Sequence, residues 1–270
     1  MVLSTSVVSQ RLAAKIFKRV MTSFDRELKR ELKQKIVVVP KPAVPAVELK
    51  QSQHHGFVFE NQIRTKVFDM TIEKNDTGKH DIPKNKNKLN SNENVSIKMT
   101  GRSDVCCGDI LRFYDYDFAD ENTVIIGQYA QNATQKTITR IIELDYDKKL
   151  HEYLFGTATR EDLMEYVDMV KAVPRGKVSE RLRKDILQKK KDIEKKHGMN
   201  IQISPKIDSG SQRRVQCRIK NIDDVICGMV SNLKNMTTDG FIRGVKIDVV
   251  IPSVVRTRHT RHTHHTISTI

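Results

Sequence analysis

The chain has 270 residues, of which 38% are hydrophobic and none is Trp, and its 48 Lys and Arg against 33 Asp and Glu give a formal net charge of +15. That apolar content is too high for a wholly disordered chain and suits one large domain or two small ones. No run of 18 apolar residues and no signal-peptide core occurs, which excludes a transmembrane helix and a secretory leader and leaves a cytoplasmic setting as the expectation, host cytosol or virion if the protein is viral.

Residues 7 to 35 read as a basic helix, with Leu12, Ile16, Val20 and Phe24 at four-residue intervals. The first 22 residues carry no acid, as in a transit peptide, but the same pattern runs on past Asp25. Pro40, Pro42 and Pro45 break the chain into an extended connector. Phe57, Phe59, Ile63 and Val67 predict a short helix opening after Gly56, and Asn75 to Asn94 reads as a long polar loop. Three strands follow, Val95 to Thr100, Thr123 to Tyr129 and Thr137 to Leu144. Thr159-Arg160-Glu161-Asp162 resembles a capping box, opening a helix that buries Leu163, Val167 and Val170 and ends before Pro174. A charged helix spans 179–197, with Leu182, Ile186 and Ile193 on one side and Gly198 as its stop. Strands at 200–203, 213–220 and 245–251 and a short helix around Asp223 to Val230 complete an α/β (α+β) pattern, a mixed central sheet flanked by helices. The chain divides into a helical region with its Pro-rich connector (1–50), a core (51–156), a helix-and-strand region (157–255) and a basic tail (256–270) whose His259, His262, His264 and His265 read as disordered chain.

Cys106, Cys107, Cys217 and Cys227 form no CxxC pair and read as reduced core cysteines, so no zinc site is expected. A pI near 9.6 points to a polyanionic partner, because cations that neutralise phosphates release counterions and supply affinity without sequence preference. There is no GxxxxGK[ST], no GxGxxG after a strand, no GxSxG and no HExxH, and the missing P-loop argues against an NTP-driven motor. What remains is a set of polar residues around the loop and the strand after it. Glu60 lies on the helix, Asp81 stands in His80-Asp81-Ile82-Pro83, and Ser96 and Lys98 share one face of the next strand.

Together these residues resemble the PD-(D/E)XK nuclease superfamily, to which most type II restriction endonucleases belong. The segment from Val95-Ser96-Ile97-Lys98 through Gly108-Asp109-Ile110-Leu111-Arg112 is similar to endonucleases encoded by large DNA viruses of algae, and the likeness spans roughly residues 54 to 114. The resemblance implies a restriction-endonuclease-like fold and a Mg²⁺-dependent endodeoxyribonuclease. Asp81 would be the central metal ligand, Glu60 the second acid, Ile97 a carbonyl ligand and Lys98 the catalytic lysine. The sequence departs from the pattern at Ser96, where the family carries an acid, and at Asp81-Ile82-Pro83, where it has Pro-Asp. Asp104 and Asp109 are reserve acids, with structural roles expected for both. Membership also implies a homodimer on double-stranded DNA, paired with a protective methyltransferase.

DNA contacts are expected elsewhere. Arg214, Gln216, Arg218 and Lys220 alternate with apolar residues on one strand and offer Arg and Gln, the side chains suited to guanine and adenine edges; the alternative is a basic edge strand. The loop lysines Lys79, Lys84, Lys86 and Lys88 suit phosphates, and Arg102 is a further DNA-contact candidate. Two other functions fit the same composition: a repair or recombination nuclease without sequence preference, and a non-enzymatic basic DNA-binding or virion protein.

Overall fold

Val124-Ile125-Ile126 is apolar at every position rather than every second one, the pattern of a strand covered on both faces. In the computed structural model, which describes residues 54–71, 78–132, 135–208 and 212–252, this run is the centre of the main sheet. The helix expected over 7–35, the proline connector and the tail lie outside the described residues.

The main sheet holds β1 (Glu93–Thr100), β3 (Glu121–Gln131), β4 (Gln135–Asp145), β7 (Leu233–Thr237) and β10 (Val250–Pro252). β1 runs parallel to β3 and β3 antiparallel to β4, while β10 and β7 pair with opposite ends of β4. A second, antiparallel sheet has β6 (Arg214–Ile219) between β2 (Val105–Asp109) and β5 (Ile201–Lys206). The helices are α1 (His54–Gln62, continued by a π-turn over Ile63–Val67), α2 (Ile110–Tyr114), α3 (Lys148–Phe155), α4 (Arg160–Lys171), α5 (Glu180–Lys196) and α6 (Ile222–Gly228). The protein is thus an α+β fold whose mixed central sheet is flanked by helices.

Period-two alternation splits the core at the main sheet. Ile125 and Ile141, with Val95 and Ile97, face α1 through Phe59 and Ile63. Val124, Ile126, Ile142 and Leu144 face the other way, into a larger cluster with α2 to α6 and the inner face of the second sheet. Gly127 is needed where α1 crosses: a Cβ there would lie 2.7 Å from the Phe59 ring. The expected boundary at 156/157 does not divide this core. β2 pairs with β6, β4 pairs with β7 and β10, and one apolar cluster runs from Val105 to Ile226.

The Thr159 box forms as read: Thr159 Oγ1 accepts from Asp162 N, and the Asp162 carboxylate accepts from Thr159 N at 3.0 Å. Other expectations are corrected. α1 spans His54–Gln62, so Gly56 lies within it, and Phe57 is exposed because the helix turns that position away from the sheet. The stretch read as one strand at 245–251 is a two-residue strand β9 (Val245–Lys246) paired with β8 (Phe241–Ile242), then β10. The polar loop is partly organised where described. Ile82 bridges Val95, Lys84–Lys86 form a 3₁₀ turn, and buried Asn87 donates to Glu93.

The β8–β9 loop is Arg243-Gly244, both left-handed at φ 48° and 79°. A two-residue hairpin loop favours that geometry, but Arg is an unusual occupant of it. The side chain explains the choice. Arg243 holds Glu93 with two bonds of 2.8 Å, holds Glu143 with a third of 2.8 Å, and lies over the Phe68 ring. Burial works to raise the Glu93 pKa, but the bonds from Arg243 and Thr123 overcome it and hold it down to about 2.

Candidate active site

β1 is an edge strand, and its outer backbone groups must find partners. At Val95 they exchange hydrogen bonds with Ile82, N to O at 2.8 and 2.9 Å. Two residues on, the same edge offers the Ile97 amide and carbonyl, and side chains satisfy them. Asp81 Oδ2 accepts from Ile97 N at 2.5 Å and from Lys98 Nζ at 3.1 Å, and Lys98 Nζ also donates to Ile97 O at 2.9 Å. The short bridge at Ile82 therefore delivers Asp81 to the point where the pairing stops.

α1 brings Glu60 to the same place. Burial raises the Glu60 pKa first and the Asp81 charge second, while Arg64, paired to Glu60 at 3.4 Å, pulls the other way. Lys98 shows the converse balance. Burial works against its charge, but the Asp81 carboxylate outweighs it and holds its pKa above the usual value. The side chains of Glu60, Asp81 and Lys98 keep 23%, 26% and 23% exposure, enough for a substrate to reach all three.

His80 and Tyr116 close the other side. The rings meet edge to face at 4.7 Å, and burial with the nearby Lys79 charge lowers the His80 pKa to about 4. Ser96 does not join the group. It is 2% exposed, and its hydroxyl shares a 2.7 Å hydrogen bond with Tyr116 OH.

Two carboxylates, one of them with its pKa raised by burial and by the other's charge, stand beside a main-chain carbonyl and make an oxygen-only set of the kind Mg²⁺ prefers. Glu60, Asp81 and the Ile97 carbonyl are the groups that would hold it. Among the described residues no three His, Cys, Asp or Glu side chains gather as a metal group, so water would complete such a shell.

Comparison of the chain with family models, curated proteins and solved structures finds no match.

The expected DNA-contacting residues fall in two places. Lys84 is salt-bridged to Asp120 at 2.6 Å, and Lys86 is exposed beside it. Arg102 and Arg218 line an open cleft of about 430 Å³ with Thr100, Asp104, Cys106 and Tyr129. Arg214, Gln216 and Arg218 do share the face of β6 opposite buried Val215, Cys217 and Ile219. The edge-strand alternative is overturned, because β6 is paired on both sides. The reserve acids are structural: Asp104 binds Arg218 at 2.8 Å, and Asp109 caps α2 through Arg112 N at 3.1 Å. Sequence reasoning missed Arg64, His80 and Tyr116. Only Arg64 left a trace, four residues from Glu60 and so on the same helix face.

Proposed function

We propose that the protein is a Mg²⁺-dependent endonuclease that hydrolyses double-stranded DNA at a short specific sequence, in the manner of type II restriction enzymes. The observation that carries this reading is the meeting of Asp81 and Lys98 at the Ile97 peptide, where β1 loses its outer partner, with Glu60 close enough to feel both charges. When bound, Mg²⁺ polarises the phosphate and lowers the pKa of its water. The protein's own part is positional. The Ile97 amide fixes the Asp81 carboxylate, α1 sets Glu60 within its electrostatic reach, and the Lys98 ammonium stands where it orients the attacking water or offsets charge on the phosphate. The net charge of +15 holds the polyanion near this edge. A homodimer matched to a palindromic site, and a methyltransferase protecting that site, belong to the same proposal.

The test is incubation of unmethylated plasmid with Mg²⁺, with EDTA, Asp81→Ala and Lys98→Ala as controls. Discrete fragments are expected, absent with EDTA, with each variant slowed by roughly a hundredfold or more. A smear lost in the same controls would favour a nuclease without sequence preference. No cleavage, with salt-sensitive DNA binding retained, would reject the catalytic reading and leave a basic binding protein.

A further inference from the structure

The second sheet turns one face to its core and leaves the other open. Cross-strand neighbours share a face, so the register fixes what that open face displays. Lys206 stands beside Arg214, Gln216 lies between Ser204 and Asp109, and Arg218 lies between Gln202 and Cys106. Two residues lie between Cys106 and Asp109 but only one between their partners, and the bulge at Gly108, φ 89°, returns both to the open side. Every side chain in these rows is polar or a thiol, none is buried, and Lys206, Arg214 and Arg218 outnumber Asp109.

We infer that this three-stranded face, not β6 alone, is the surface that reads base sequence, seated in the major groove of the duplex. The inference rests on the nuclease reading for its link to cleavage. Its side chains divide into two roles. Gln216, in the middle strand with Ser204 beside it, offers the paired donor and acceptor that suit adenine N7 and N6. Lys206 and Arg214 at one end, with Arg102 beyond the other, carry the charge that meets phosphates. Arg218 is held by Asp104 at 2.8 Å, which fixes the guanidinium at the junction of sheet and cleft. The same cleft is lined by Met99 to Arg102, at the end of the strand that carries Lys98. Thr100 lies two residues from Lys98, about 7 Å along a strand. A duplex on the sheet thus brings its backbone to Lys98 within a few base-pair steps of roughly 3.4 Å each.

The test sequences the fragment ends made by the unaltered protein and by Gln216→Ala. The variant is expected to cut at additional sites that differ at one position, its discrimination there falling about tenfold or more. Identical fragment ends would overturn the inference. If the unaltered protein cuts nothing, the nuclease reading has failed. The sheet is then judged by the duplexes each protein retains from a randomised pool. A base preference lost in Gln216→Ala supports it, and an unchanged or absent preference overturns it. A second measurement needs no variant. Cys106 is exposed on this face, whereas Cys107 and Cys217 are buried. Saturating duplex is expected to slow maleimide labelling of Cys106, mapped by mass spectrometry, at least tenfold, and an unchanged rate would overturn the proposed seat.

Discussion

Ser96 shares a hydrogen bond with the Tyr116 hydroxyl in the interior, while Lys98, on the same face of β1, emerges at the strand's open edge. Ser96→Ala removes one partner of a buried hydrogen bond and is expected to cost about 1–2 kcal/mol in urea unfolding while cleavage persists. Loss of cleavage in a stably folded Ser96→Ala protein would return the hydroxyl to the reaction. Strand periodicity placed Lys98 on its face of β1, and the structure sets it 3.1 Å from Asp81. The sequence did not reveal that Asp81 is fixed by a main-chain amide, because a backbone donor is the same at every position. Nor did it mark His80 or Tyr116, whose places follow from the packing of separate segments.

Among the elements, those carrying strong local signals were readable. The β-branched runs of β3 and β4, the Thr159 box and the Gly198 stop stand within a few residues of where they were expected. β2, α2, α3 and β7 were not: Val105-Cys106-Cys107-Gly108-Asp109 alternates over too short a span, and Leu233 to Thr237 is mostly polar. The β8–β9 hairpin depends on its ion cluster, and Arg243→Ala, which takes the guanidinium from two buried carboxylates, is expected to destabilise the fold by about 3 kcal/mol in denaturant unfolding. The cluster also sets a pH response. Because the folded Glu93 pKa lies near 2, below the ordinary 4.5, its contribution is complete above that ordinary value and is lost as pH falls toward 2. Acid unfolding should therefore steepen in that window for the unaltered protein and flatten in Arg243→Ala. At α1, Gly127→Ala forces the Phe59 ring aside and should cost about 1–3 kcal/mol by thermal unfolding, loosening the helix that holds Glu60.

Over the whole molecule, charge is the property most directly read from composition. If the cations contact phosphates as proposed, affinity for nonspecific duplex should fall roughly a thousandfold between about 50 and 200 mM salt, as fluorescence anisotropy would measure. A flat salt response would remove the electrostatic basis of DNA binding. The layout of two sheets sharing one core was not legible, because its defining pairs join distant segments such as β2 with β6.

The last strands of the main sheet, β7 and β10, both dock on β4, roughly ninety and more residues after it leaves the ribosome. Until residues 233 to 252 are synthesised, the outer margin of β4 has no cover, and Ile138, Ile141, Ile142 and Leu144 have only part of their final packing. A nascent chain thus carries an open, sticky strand through much of its translation, the condition in which holding chaperones are most needed and premature termination is most damaging.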